Sequence, residues 1–392
     1  HFTAFIVEKT FPGVSAGKEE HKLGLHGSST TPILLQDARV PAENVLGEIG
    51  KGHKVALNTL NFGRFKLGAM CTGGSKAAIG ESAKYASQRK QFGVPIATFG
   101  AIKHKLGEMT ARTYAVESLM YRTGGLIDAT LAAAARRDGS TVAKAVEEFA
   151  VEASIAKVAG SEVLDFVLDE NVQIHGGNGF VKDYSAERYY RDARVNRIFE
   201  GTNEINRMLI PGMLIRKALK GDLPLIAAAK KLQDELLTPS PASVSFGEGG
   251  VLEEQLTAVI AFKKVALMVL GTAMQTYGQK LTDEQEVLTY TADILIDTYA
   301  ADSAVARAKD ATAAGNSQAS LHQTAVRLFV NDAAQRIEMA ARSALAATAE
   351  GDALRTLLAA LRRVIKVTPT NTVVLRRQLA DATTARGGYI FT

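Results

Sequence analysis

A single carboxylate, Glu200, stands where a basic stretch containing Arg191, Arg194 and Arg197 runs into Gly201. Thr202 and Asn203 then offer N-cap side chains to a helix predicted to run through Ile205, Leu209 and Ile210. A carboxylate held just before a helix start, on a turn kept small by glycine, can reach into a cleft that its own backbone does not fill. That placement suits a general base. Taken alone, the same residue reads as an ordinary acid near a helix N-terminus, worth about 0.3–1 kcal/mol. Upstream, Gln173 leads into a turn with Gly176, Gly177 and Gly179, where backbone can approach a ligand closely. Asn61 and Arg64 lie one turn apart on one predicted helix face. Arg89, Gln91 and Phe92 follow that helix in a turn closed by Gly93, and arginine's planar fork suits a pyrophosphate. The Gly-x-Gly-x-x-Gly pattern of a Rossmann strand-turn-helix is not what these glycines form. The seven histidines lack paired spacing with Cys or Asp, so no metal site is expected.

The elements that position these residues are mainly helical. Residues 1–50 alternate short strands and turns, including a strand over 31–35 and an opening strand over 1–8, too little sheet to close a barrel. Helices are predicted over 54–88, 102–127, 140–171 and after Thr202, and these suit an antiparallel bundle. Five glycines interrupt the first helix, at a cost of about 1 kcal/mol each against alanine. So many point to close packing against another helix or a ligand. Pro224, then Pro239 and Pro241, then the glycines at 247, 249 and 250 mark a linker over 223–250. Beyond it, Val259, Phe262, Ala266 and Val269 trace one helix face, and further helices are predicted over 283–313, 317–349 and 352–366.

These segments resemble the acyl-CoA dehydrogenases, flavoenzymes that introduce an α,β double bond into acyl-CoA thioesters. The run from Arg191 to Arg207 resembles the family's C-terminal signature. Arg39 to Gly47, Leu60 to Phe65 and Gln88 to Gly93 precede it in the family's order. The resemblance covers roughly residues 1 to 215 by motif order, and the helical tail is most similar to the very-long-chain branch. It implies a mainly α fold: part of the middle β-domain over 1–50, the C-terminal four-helix bundle over 51–222, a linker over 223–250 and a C-terminal helical extension over 251–392.

By the same resemblance, FAD is the cofactor and Glu200 the base, since Gly63, the position some members use instead, cannot act. Arg64, Asn61 and Gly201 border the thioester and CoA. Arg64 otherwise reads as half of a helix-surface ion pair, and Phe62 and Phe65 as core. Arg89, Gln91 and Phe92 reach across a homodimer interface to the partner's FAD. Gln173, Gly176 and Gly177 lie on its adenosine side, and Thr202 and Glu204 touch the dinucleotide. An electron-transferring flavoprotein takes the electrons. His175 reads as space-filling or hydrogen-bonding. The chain opens inside a strand, without methionine, and holds no tryptophan. It is therefore expected to be an N-terminally truncated fragment of the family's longer chain.

Composition is compatible with this. The 46 basic and 41 acidic residues leave a formal charge of +5, which suits an anionic ligand. No basic run is dense enough to predict a nucleic-acid partner, and Arg362, Arg363, Lys366, Arg376 and Arg377 read as a solvated face. One cysteine, Cys71, excludes a disulfide within the chain and reads as a buried small residue in a reducing compartment. The expected location is bacterial cytoplasm, or the mitochondrial matrix side in a eukaryote. No apolar run is expected to reach membrane-spanning length, and no signal peptide is seen. Residues 215–237 are compatible with a membrane-surface helix, or more simply with a helix packed on its own protein. Three other functions stay open: a non-catalytic assembly module, a flavin-binding relative associated with nucleic acid, and an acyl-CoA oxidase using the same base.

Overall fold

The computed structural model describes residues 1–135, 138–237, 250 and 252–391. The proline and serine run at 239–243 and the glycines at 247 and 249 lie outside the described residues. Near the start, β1 (Ala4–Phe5) pairs with β4 (Val45–Leu46), and β2 (Val14–Ala16) with β3 (Ile33–Leu35), all antiparallel. The opening strand is shorter than expected because only Ala4 and Phe5 meet a partner strand.

The helices follow as α1 (Gly52–Gln88), α2 (Gly100–Ala133), α3 (Gly139–Glu148), α4 (Ala150–His175), α5 (Ser185–Ala193) and α6 (Asn203–Lys220). A hairpin of β5 (Lys90–Gln91) and β6 (Val94–Pro95) separates α1 from α2. Helices α1, α2, α4 and α6 form the bundle, with α4 touching the other three. Ile79, Met109, Leu119, Val167 and Ile210 fill its centre, each fully buried. Burying side chains of this size contributes about 1.5–3 kcal/mol apiece. The glycines of α1 earn their place at the α1–α4 crossing. A Cβ on Gly68 would lie 2.7 Å from the Ala156 carbonyl oxygen, and one on Gly160 would lie 2.9 Å from the Gly68 Cα. Backbone meets backbone there.

The extension comprises α7 (Leu225–Leu237), α8 (Glu253–Tyr277), α9 (Gln285–Ala313), α10 (Ala319–Thr348), α11 (Gly351–Val364) and α12 (Thr372–Arg386). Helices α8, α9 and α10 pack together around Phe262, Val265, Ile294, Leu328 and Ile337. Helix α9 lies against α2 and α6, and α12 against α2. Charged groups fasten the seam. Glu117 of α2, 3% exposed, accepts from Lys76 Nζ and Arg307 at 2.7 Å and from the Tyr389 hydroxyl at 2.8 Å. Tyr389, Ile390 and Phe391 are buried beside it.

Several expectations need correcting. The helix expected over 140–171 is two helices, because Phe149 leaves helical geometry (φ −97°, ψ 28°) with no glycine or proline to announce it. Helix α7 occupies the first half of the expected linker and docks on α8 through buried Leu232. Residues 215–237 therefore form the end of α6 and a separate helix packed on the protein itself. Helix α8 and the turn after it, 253–283, are long and apolar enough to cross a membrane, contrary to expectation. Half of the apolar stretch is buried within the fold, as befits a core helix. Arg376 is not on a solvated face: it pairs with Glu108 at 2.8 Å and with Asp332, bridging α12, α2 and α10. Phe62 is exposed rather than core, whereas Phe65 packs on the core. Cys71 is fully buried, and burial pushes its thiol pKa up to about 12.

Candidate active site

Glu200 sits in a tight turn between the 3-10 segment 194–197 and α6, with a positive φ of 59°; Gly201 follows at 78°. Two successive left-handed residues reverse the chain sharply, an arrangement that strains a non-glycine residue. Three devices hold it. Arg64 of α1, 5% exposed, donates from Nε to the Glu200 carbonyl oxygen at 3.2 Å and from Nη1 to Asn61 Oδ1 at 3.1 Å. Asn206, fully buried one turn into α6, donates from Nδ2 to the carbonyls of Gly201 at 2.8 Å and Thr202 at 3.0 Å, with Glu200 at 3.5 Å. The Thr202 hydroxyl caps α6 by accepting from the Ile205 N–H at 3.2 Å.

The Glu200 carboxylate lies on Gly63 of α1. A Cβ at Gly63 would stand 2.6 Å from Glu200 Cδ and 2.7 Å from Oε1. The bare helix backbone is the shelf on which the carboxylate rests. Burial lowers the Arg64 pKa from its ordinary value, and the Glu200 charge works against that fall. Arg64 is thus no helix-surface ion pair. It is a buried cation that grips the backbone of the turn. Glu204, in the first turn of α6, is exposed, and its carboxyl pKa is lowered, first by its own backbone N–H.

The structure therefore unites Glu200, Gly201, Thr202, Asn61 and Arg64, with Glu204 at the rim. It places the other predicted residues elsewhere. Gln173, Gly176 and Gly177 are exposed at the end of α4, where Gly176 takes a φ of 59°. His175 is buried there, stacked on Tyr85 of α1 with ring centroids 4.0 Å apart, and its Nδ1 donates to the Asn171 carbonyl at 2.8 Å. Just past α1, Phe92 and Gly93 both take positive φ, 50° and 82°, in the two-residue turn between β5 and β6. Arg89 and Gln91 are exposed, and Phe92 is 93% exposed. At about 1.5 Å per residue, Gly63 and Tyr85 are roughly 33 Å apart along α1. One group lies about a third of the way along α1 and the other at its C-terminal end.

Sequence reasoning missed Asn206 and gave Gly63 no structural part. Asn206 was findable in principle: an asparagine four residues after a threonine cap can turn back onto the preceding carbonyls. The use of Gly63 is tertiary and left no local mark.

Residues 50–214 and 261–363 each match the family described as "Acyl-CoA dehydrogenase, C-terminal domain". A crystal structure of an acyl-CoA dehydrogenase complexed with FAD from Bacillus anthracis superposes on all of this chain with a TM-score of 0.96. It is 46% identical, and 67% of that chain is covered. The chain belongs to the acyl-CoA dehydrogenase family. A probable acyl-CoA dehydrogenase of Bacillus subtilis is 49% identical over 383 residues, 97% of this chain and 64% of its own. The human mitochondrial very long-chain specific acyl-CoA dehydrogenase is 34% identical over 355 residues, 86% of this chain and 51% of its own. The chain thus spans between half and two thirds of the curated relatives quoted. For this acyl-CoA dehydrogenase family member, the mainly helical fold and its added C-terminal helices agree with the resemblance read from the motifs, and the matches continue past residue 215 into the extension.

Proposed function

We propose that this protein carries out FAD-dependent α,β-dehydrogenation of an acyl-CoA thioester, with Glu200 taking the α proton. The observation that carries the reading is the Glu200 carboxylate on its Gly63 shelf, its turn fixed by Arg64 and Asn206. A base needs a fixed reach and an approach that its own backbone does not block, and this turn supplies both. Arg64 holds the turn while adding positive charge near the position of a thioester. Asn61, whose Oδ1 accepts from Arg64, is the residue assigned to CoA in this reading.

The residues fit FAD. Arg89, Gln91 and Gln173 are exposed donors, Phe92 offers an exposed ring, and nothing lies within 4 Å of a Cβ on Gly176 or Gly177, so bare backbone faces open space. The start of α6, with Thr202 and Glu204, receives the dinucleotide near Glu200. When bound, the flavin supplies the hydride acceptor that no side chain provides. With the two groups roughly 33 Å apart on α1, one dinucleotide does not reach both within a chain. This supports a homodimer in which Arg89, Gln91, Phe92, Gln173, Gly176 and Gly177 serve the partner's cofactor. A long acyl chain and an electron-transferring flavoprotein as acceptor complete the proposal. Long-chain specificity draws support from the similarity to the very-long-chain relative.

The test is direct. Purified protein is loaded with FAD and given a long-chain acyl-CoA with an electron acceptor, and the product is weighed by mass spectrometry. A product two hydrogens lighter is expected. Failure of the full-length protein to retain flavin, or an acyl-CoA left unchanged by it, would contradict the proposal.

A further inference from the structure

Lys157 lies in α4 with none of its surface exposed. Its neighbours Ile155, Ala156, Val158 and Ala159 are all apolar, so a cation stands alone in a core stretch. Desolvating an ammonium costs several kcal/mol, and replacing a buried charge by an apolar side chain of similar size is often neutral or stabilising. Stability alone therefore gives a poor account of this residue.

What Lys157 touches gives a better one. Its Nζ donates to Asn203 Oδ1 at 2.6 Å. Ser161, one turn further along α4, lies 3.2 Å from Asn203 Oδ1 and 3.1 Å from Nδ2. Asn203 Nδ2 also donates to Glu162 at 3.1 Å, and Glu162 takes two bonds from Arg207, at 2.7 and 2.9 Å. Asn203 opens α6, three residues after Glu200. The turn is thus gripped by two buried cations: Arg64 from α1 holds the carbonyl of Glu200, and Lys157 from α4 holds the side chain of Asn203. The groups facing Lys157 are Cys71 and Arg64 of α1, Glu204 and Asn203 of α6, and Ser161 and Glu162 of α4. Burial draws its pKa down to about 8, while the acidic neighbours work to keep the charge.

We propose that Lys157 is a positioning residue, which sets the start of α6 through Asn203 and thereby the reach of Glu200. It rests on the reading of Glu200 as the base.

The test is amide hydrogen exchange, followed by mass spectrometry, on the FAD-loaded wild type and on Lys157→Met, which has a similar length without donor or charge. Amides over 201–206 are expected to exchange at least about tenfold faster in the variant, with the interiors of α1 and α2 unchanged. The kcat for acyl-CoA, counted per bound flavin so that any unfolded fraction drops out, should fall about tenfold or more with KM within about twofold. Unchanged exchange over 201–206 overturns the proposal. Should Lys157→Met fail to fold, Asn203→Ala breaks the same link from the helix side and is read by the same criterion. A wild type that does not dehydrogenate acyl-CoA, combined with loosened exchange in the variant, would strike down the proposed reaction and leave the hold of Lys157 on the turn standing.

Discussion

The carboxylate of Glu200 occupies the space that a side chain on Gly63 would need. A Cβ there would come within 2.6 Å of Glu200 Cδ. Gly63 sits inside α1, where glycine is worse than alanine by about 1 kcal/mol. The helix gives up that propensity at the point where the carboxylate lands. Gly63→Ala should therefore keep or raise the melting temperature, because the displaced group is the far end of a flexible side chain. The same change should lower kcat by about tenfold or more, since small misplacements of a base are costly. Thermal unfolding and steady-state kinetics on one preparation check both halves.

Asn206 gathers the carbonyls of Gly201 and Thr202 with a buried amide. Asn206→Leu leaves those acceptors without their donor, at about 1–3 kcal/mol. The expected result is a lower urea midpoint and a loss of kcat larger than that of a similar core substitution remote from the turn, such as Ile294→Ala. Equal kinetic losses in the two variants would contradict the role given to Asn206.

His322 of α10 is 5% exposed and lies 2.9 Å from the Tyr114 hydroxyl. Burial, then the charge of Arg307, lowers its pKa to about 4, with Glu117 opposing. An unfolded histidine titrates near 6.5. Between those values the unfolded chain holds a proton that the folded protein refuses, so stability falls as pH drops from about 6.5 toward about 4. From pH 7 to pH 5 this group should account for about 2 kcal/mol. Urea unfolding at both pH values checks it: the drop on acidification should be smaller by about that amount in His322→Gln. An identical drop in the two proteins would contradict the assignment.

The large helices were readable because their apolar periodicity is long, and the glycines of α1 did announce close packing, realised at Gly68 against Gly160. The break at Phe149 was not readable, since no residue there forbids a helix. Helix α12 escaped notice because its buried stripe, Leu379, Ala380 and Thr383, is short and interleaved with arginine and threonine. Arg376 looked solvated because its partners, Glu108 and Asp332, are distant in sequence. In the candidate site, the motif around Glu200 pointed to the base and its cap. The shelf at Gly63 and the grip of Lys157 exist only once α1, α4 and α6 have packed, whereas the grip of Asn206 is local to the turn and the start of α6.

The central claim is that Glu200 takes the α proton. The most direct measurement is the anaerobic bleaching of the visible flavin band on mixing FAD-loaded protein with a long-chain acyl-CoA, for the wild type and for Glu200→Gln. The amide keeps the size and the turn but cannot accept the proton. The wild type should bleach rapidly. Glu200→Gln should still bind flavin and acyl-CoA yet bleach slower by about 10²–10⁴-fold, the usual worth of a general base. Bleaching of Glu200→Gln at the wild-type rate would contradict the account.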